Sequence, residues 1–242
     1  MTAHISPSAL RDPPEVLESD APVKASALAA LLGPRFAFAS AVPRVINEQL
    51  FPDERKFIAR AVEKRQAEFG TARVCARRAL AKLGVAPCSL VPHADRSPRW
   101  PEGVVGSITH AEGCCIAAAT VAPDVAGFGL DVEEDEPLSR ELEPLICTTA
   151  ERLWLATQES RSRGWLGKLF FSAKEAFYKC QYRHTRTLID FQDVELKIDL
   201  HRNNFRAVAV TQNGPVWDRV CRASGKFLRA QGFIVTAAFL TE

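Results

Sequence analysis

Several class-defining features are missing from this sequence. No apolar run approaches the roughly 20 residues that a helix needs to cross a bilayer, so no membrane partner is expected. Charge of one sign is missing too: the 242 residues carry 31 Lys and Arg against 29 Asp and Glu, a net +2. That balance speaks against the broad positive field of a nucleic-acid binder. The seven cysteines, Cys75, Cys88, Cys114, Cys115, Cys147, Cys180 and Cys221, include no Cys-x-x-Cys pair. Their odd number and apolar neighbours predict reduced, buried thiols of a cytoplasmic protein, with neither a disulfide framework nor a zinc site. A secretion signal is mimicked by the apolar stretch Ala25 to Leu32 and the small residues Ala37 to Ala41. It fails on its flanks, because Glu15, Glu18 and Asp20 stand where positive charge is required and Gly33-Pro34-Arg35 interrupts it.

What is present is a separation of charge. Between Arg55 and Lys82 stand nine basic residues against two acidic ones, whereas Asp131, Glu133, Glu134, Asp135 and Glu136 are nearly consecutive. Such a chain can hold a polyanion at one place and a cation at another.

Residues 1 to 24 contain four prolines and no periodicity, which predicts an irregular leader. Pro52-Asp53 signals a helix start, and Phe57, Ile58, Ala61, Val62 and Phe69 follow helical spacing. A second helical stretch, through Val74, Cys75, Ala79, Leu80 and Leu83, stops at Gly84. After a Pro- and Arg-rich loop from Pro87 to Pro101 come β-like runs at Val104–Ile108, Cys115–Val121 and Val125–Val132. Thr148 or Thr149 caps a short helix through Trp154, and an amphipathic helix covers roughly Gly164 to Tyr182. Val194–Leu200, Phe205–Val210, Val216–Ala223 and Phe233–Leu240 alternate like antiparallel strands. Helix followed by strands thus occurs twice, predicting an α+β protein of two similar halves, 25–122 and 123–242, with a site at their junction.

Three short segments carry chemistry. In Gly129-Leu130-Asp131-Val132-Glu133, strand alternation puts Asp131 and Glu133 on one face, paired hard oxygen donors of the kind that suits magnesium. Taken alone they equally describe a solvated acidic turn. In Phe171-Ser172-Ala173-Lys174-Glu175-Ala176-Phe177-Tyr178-Lys179, Glu175 and Lys179 share a helical face, which alone also describes a surface ion pair. Gly106-Ser107-Ile108-Thr109-His110 offers a glycine, two hydroxyls and an imidazole to a phosphate, although a histidine at a strand end also serves structure.

In this order and spacing, the three segments resemble the phosphopantetheinyl transferases of the surfactin-synthetase and enterobactin-synthetase type. Their usual pattern is GSxTH, then G(I/L)DxE, then (F/W)SxKExxxK. Upstream, Lys64 to Arg73 looks like the family's KRxxEFxxGR, with Ala72 where glycine is usual, and Arg96-Ser97-Pro98-Arg99-Trp100-Pro101 looks like RxPxWP. The likeness runs from about residue 54 to 182 and is nearest in character to the enterobactin-type branch, whose pseudomonad members serve several carrier proteins.

The resemblance implies a pseudo-dimeric fold of two α/β halves, sufficient as a monomer. It also implies transfer of the phosphopantetheine arm of coenzyme A to acyl- or peptidyl-carrier proteins. Magnesium is expected on Asp131, Glu133 and Glu175. Glu175 is expected to take the serine proton directly or through water, Lys179 to lie against the pyrophosphate, and His110, Ser107 and Thr109 to bind phosphate oxygens. Arg55 and Arg96 match the positions for the 3′-phosphate, while Arg65 and Arg73 either join them or pin their helix by local pairs such as Arg65 with Glu68. A carboxylate-metal phosphohydrolase or nuclease, and a non-catalytic coenzyme A module, remain the alternatives.

Overall fold

The computed structural model describes residues 21–242, so the expected leader lies almost wholly outside the described residues. Among the described residues, eight strands form two sheets. The first has order β1-β3-β2, from β1 (Ala37–Ala41), β2 (Val105–Ala111) and β3 (Cys114–Thr120). The second has order β4-β8-β7-β6-β5. Its strands are β4 (Val125–Glu134), β5 (Val194–Asp199), β6 (Asn204–Val210), β7 (Ser224–Ala230) and β8 (Phe233–Thr241). All pairings are antiparallel. In each sheet the strand that precedes the long helix pairs with the last strand, β1 with β3 and β4 with β8. The α+β class and the two-part plan are therefore present.

Among the described residues seven α-helices surround the sheets: α1 (Ala25–Leu32), α2 (Pro52–Ile58), α3 (Glu63–Lys82), α4 (Glu143–Ile146), α5 (Thr149–Ala156), α6 (Ser160–Thr185) and α7 (Pro215–Val220). Helix α3 covers one face of the first sheet, where Val74, Cys75 and Leu80 bury Ala39, Ala117 and Ala119. Helix α6 covers one face of the second through Leu169, Phe170, Ala173 and Phe177. The opposite faces of both sheets meet α1 in a shared core of Leu28, Phe36, Ile116, Phe128, Leu130 and Val235. The signal-like stretch is thus a core helix and strand. Glu54, fully buried, ties α2 to α3 by accepting from Arg77 at 2.8 and 2.9 Å, and it also accepts the Leu90 amide at 2.8 Å.

Two local expectations change. The break between the first helices falls at 59–62, so Phe69 belongs to α3 with Val74 and Cys75. The run Val216–Ala223 is not a strand: Gly214, with φ 110°, lets the chain turn, and Pro215 starts α7, which buries Trp217 and Val220 at helical spacing. The strand follows it, as β7. Among the described residues no helix is long and apolar enough to cross a membrane.

Candidate active site

The site is a seam between one strand and one helix. Along β4, residues 127, 129, 131 and 133 face α6. A Cβ on Gly127 would meet Cys180, one on Gly129 would meet Ala176, Asp131 accepts from Ser172, and Glu133 accepts from Lys168. The strand partners are two residues apart and the helix partners four. Two strand residues rise roughly 6.6 Å and four helical residues about 6 Å, so the elements stay in step over the whole seam. Both glycines are required, because side chains there would hold α6 off the strand.

Asp131, only 4 % exposed, is the hub. Its Oδ1 accepts the Lys179 ammonium at 2.7 Å and the Thr109 hydroxyl at 3.1 Å, and its Oδ2 accepts the Ser172 hydroxyl at 2.9 Å. Lys179 also donates to the Leu130 carbonyl at 3.1 Å. Ser172 is itself held by Thr236 of β8, at 2.9 Å. Lys179 Nζ lies 3.5 Å from the Thr109 hydroxyl, so residues of β2, β4 and α6 converge on one carboxylate.

Beside this hub stand two further carboxylates. Burial pushes Glu133 above the usual carboxylate range, Asp131 adds to the rise, and Lys168 opposes it at 3.3 Å. Burial likewise raises Glu175, with Lys179 opposing and Asp131 adding. The Asp131 carboxylate thus disfavours charge on both Glu133 and Glu175, and such a place welcomes a cation. Among the described residues, no three His, Cys, Asp or Glu side chains are already grouped to hold a metal ion, so the fit lies in donor chemistry, not in a ready cage. Magnesium commonly takes one or two carboxylates and completes its shell with substrate phosphate and water, which is compatible with such a set. Next to Glu175 opens a cleft of about 540 Å³ whose walls include Tyr178, Leu188, Ile189 and Phe191.

Residues 53–120 match the model of the 4′-phosphopantetheinyl transferase N-terminal domain, and residues 127–236 match that of the 4′-phosphopantetheinyl transferase superfamily. The transferase Svp of Streptomyces mobaraensis is 41% identical over 192 residues, spanning 78% of this chain and 77% of the relative. This chain belongs to the 4′-phosphopantetheinyl transferase family. The 4′-phosphopantetheinyl transferase Npt of Nocardia iowensis is 33% identical over 195 residues, covering 77% of this chain and 87% of its own. PptT of Mycobacterium tuberculosis is 35% identical over 148 residues, 61% of this chain and 65% of its own.

The transferase brings Asp131, Glu133, Glu175 and Lys179 to one seam, and it places His110 close by. The His110 Nε2 accepts from Arg65 at 3.0 Å, and its Nδ1 lies 3.9 Å from Glu68. Burial lowers the histidine's proton affinity, with the Glu68 carboxylate opposing. Arg65 also reaches Glu68 at 3.5 Å, so the expected local pair is present. Arg55 is exposed on α2 and Arg96 is exposed in the loop before β2.

Three expected phosphate ligands are placed otherwise. Ser107 and Thr109 are each 4 % exposed and turn toward β4, where their hydroxyl oxygens accept the Leu130 amide at 3.0 Å and the Val132 amide at 3.2 Å. Those amides lie on the edge of β4 that no strand among the described residues pairs, and satisfying them joins the two sheets. Arg73 is buried, stacked over Phe69 at 4.1 Å and donating to the Leu90 carbonyl at 2.9 Å. Burial lowers its pKa to about 10, with Glu54 opposing the fall. A guanidinium enclosed in this way is a packing element of the first half.

Sequence reasoning missed Ser172, Thr236 and Lys168, which orient the carboxylates, and the buried pair of Glu151 and Lys174 at 2.7 Å. Lys174 also donates to the Ile146 and Phe191 carbonyls at 2.8 and 2.7 Å. Its position one residue before Glu175, in an otherwise apolar helical stripe, was the available signal.

Proposed function

We propose that this transferase moves the 4′-phosphopantetheine arm of coenzyme A to a serine of apo acyl- or peptidyl-carrier proteins in a magnesium-dependent reaction. The products are holo-carrier protein and adenosine 3′,5′-bisphosphate. The observation that carries the reading is the Asp131–Lys179 pair on the strand–helix seam, with the Glu133 and Glu175 carboxylates within its electrostatic reach and a cleft beside Glu175. Asp131, Glu133 and Glu175 would hold magnesium, which when bound neutralises charge on the attacked phosphate and the departing one.

The chain's own groups do the rest. Glu175, its proton affinity raised by burial, accepts the serine proton as the serine Oγ–phosphorus bond forms and the bond to the nucleotide phosphate breaks. Lys179 offers its ammonium to a pyrophosphate oxygen from its seat on Asp131. Arg65 and His110 form a basic pair for the nucleotide side, and the exposed Arg55 and Arg96 serve the 3′-phosphate. The apolar walls of the cleft, Leu188, Ile189 and Phe191, suit the pantetheine arm. A cytoplasmic monomer is supported by seven free cysteines and by the supply of both halves from one chain.

The test is intact-mass spectrometry of several apo-carrier proteins incubated with the transferase, coenzyme A and Mg²⁺, beside an EDTA control. A metal-dependent gain of one phosphopantetheine arm is expected. No gain on any carrier, with phosphate released from simple esters, would move the assignment to a metal phosphohydrolase. Tight coenzyme A binding without transfer would move it to a binding module.

A further inference from the structure

The loop between Pro87 and Pro101 is a strap fastened at two points to the helix that carries Glu175. Its tip is closed by hydrogen bonds from the His93 amide to the Ser97 carbonyl at 2.8 Å and from the Arg96 amide to the His93 carbonyl at 2.9 Å. A bridge between Pro92 and Pro98 backs the tip. Within it Asp95 uses both oxygens. Oδ1 accepts the Ser97 amide at 2.9 Å and its hydroxyl at 2.6 Å, and Oδ2 accepts the Tyr182 hydroxyl at 3.0 Å and lies 3.6 Å from Arg186. Just beyond the strap, Arg183 donates to the Val104 carbonyl at 3.0 Å. Tyr182 and Arg183 lie in the last turn of α6 and Arg186 caps it, so a loop of the first half is shaped by a helix of the second.

The residue between Asp95 and Ser97 is Arg96, whose φ of 69° lies in the left-handed region. A non-glycine residue persists there only where its surroundings over-determine it, and such positions concentrate at functional sites. Around Arg96 stand the backbone bonds of the tip, the bonds of Ser97 to Asp95 and the two fastenings of Asp95 to α6. Arg96 itself is exposed and has no ion-pair partner among the described residues. Tyr182 also packs its ring on Tyr178, centroids 5.6 Å apart, and Tyr178 lines the cleft beside Glu175.

We infer that Tyr182 is a positioning residue for anion recognition: its hydroxyl fixes Asp95, and through Asp95 the left-handed Arg96, so that the guanidinium meets the 3′-phosphate of coenzyme A already ordered. A long cation on a free loop loses side-chain and loop entropy when it binds, and a strap that holds its backbone beforehand lowers that cost. The inference rests on the reading of Arg96 as a 3′-phosphate contact, and steady-state kinetics separates the two. With Tyr182→Phe, KM for coenzyme A rises several-fold while kcat and the KM for carrier protein hold, and the constants for 3′-dephospho-coenzyme A, which lacks the anion, do not move. Arg96→Ala gives the same pattern, and Tyr182→Phe adds nothing in that background. Asp95→Asn reads the same link should Tyr182→Phe fail to fold. A raised KM in Arg96→Ala beside an unchanged one in Tyr182→Phe and Asp95→Asn overturns the positioning role alone. An unchanged KM in Arg96→Ala removes the reading of Arg96 and this inference with it.

Discussion

A Cβ on Gly129 would lie 1.9 Å from the carbonyl oxygen of Ala176, a clash with a backbone atom that no rotamer can relieve. The glycine of the Gly-x-Asp-x-Glu segment is therefore a packing requirement, since it lets α6 bring Lys179 and Ser172 within hydrogen-bonding distance of Asp131. Gly129→Ala should destabilise the fold by about 1–3 kcal/mol and lower transfer activity together with it. Urea unfolding and the carrier-protein mass assay check this, and a variant with native stability and rate would show that α6 can shift at no cost.

Asp131→Asn keeps the shape of the hub and removes its charge. Transfer is expected to fall by about 10²–10³-fold, the scale of losing one electrostatic stabiliser of a developing charge. Circular dichroism should show the fold retained, and raising Mg²⁺ should recover part of the rate.

Lys174 and Glu151 are each 1 % exposed in their side chains and hold α5, α6 and the Phe191 turn together. Lys174→Met leaves a buried carboxylate without its cation and should cost about 3–5 kcal/mol. Chemical unfolding measures it. Because Lys174 lines the cleft beside Glu175, turnover should fall in the same variant, whereas a surface ion-pair variant such as Arg161→Ala should change neither.

His184 provides a pH dependence. Burial lowers its proton affinity from the ordinary value of 6.5, while its hydrogen bond to the Ala126 carbonyl, 2.9 Å long, opposes the fall. The unfolded chain thus binds the proton more readily than the folded one. The stability contributed by neutral His184 is full above pH 6.5 and is lost as pH falls through its lower folded-state value. Thermal unfolding between pH 7.5 and pH 5 should show a smaller drop for His184→Gln than for the native chain. Equal drops would mean that other groups govern the acid limb.

The placement of the candidate site's charged residues was legible because it depends on local periodicity. Alternation along residues 129–133 was enough to put Asp131 and Glu133 on one face, and helical spacing was enough to align Glu175 with Lys179. The order of elements likewise disclosed an α+β chain in two halves. The strand expected at Val216–Ala223 failed for the converse reason: Val216, Trp217 and Val220 fit either period, and the turn at Gly214-Pro215 selected the helix.

By itself, then, the sequence determined the family, the shared β4 face of Asp131 and Glu133 and the shared α6 face of Glu175 and Lys179. Only the tertiary structure decided which polar groups remain available to a substrate. Ser107 and Thr109 read as phosphate ligands until the unpaired edge of β4 claims their hydroxyl oxygens, and Arg73 reads as a phosphate cation until Phe69 and the Leu90 carbonyl enclose it. A hydroxyl or guanidinium has the same donors and acceptors wherever it stands in a sequence. What it binds is settled by burial and by partners distant along the chain, and these exist only once the two sheets and α6 have packed.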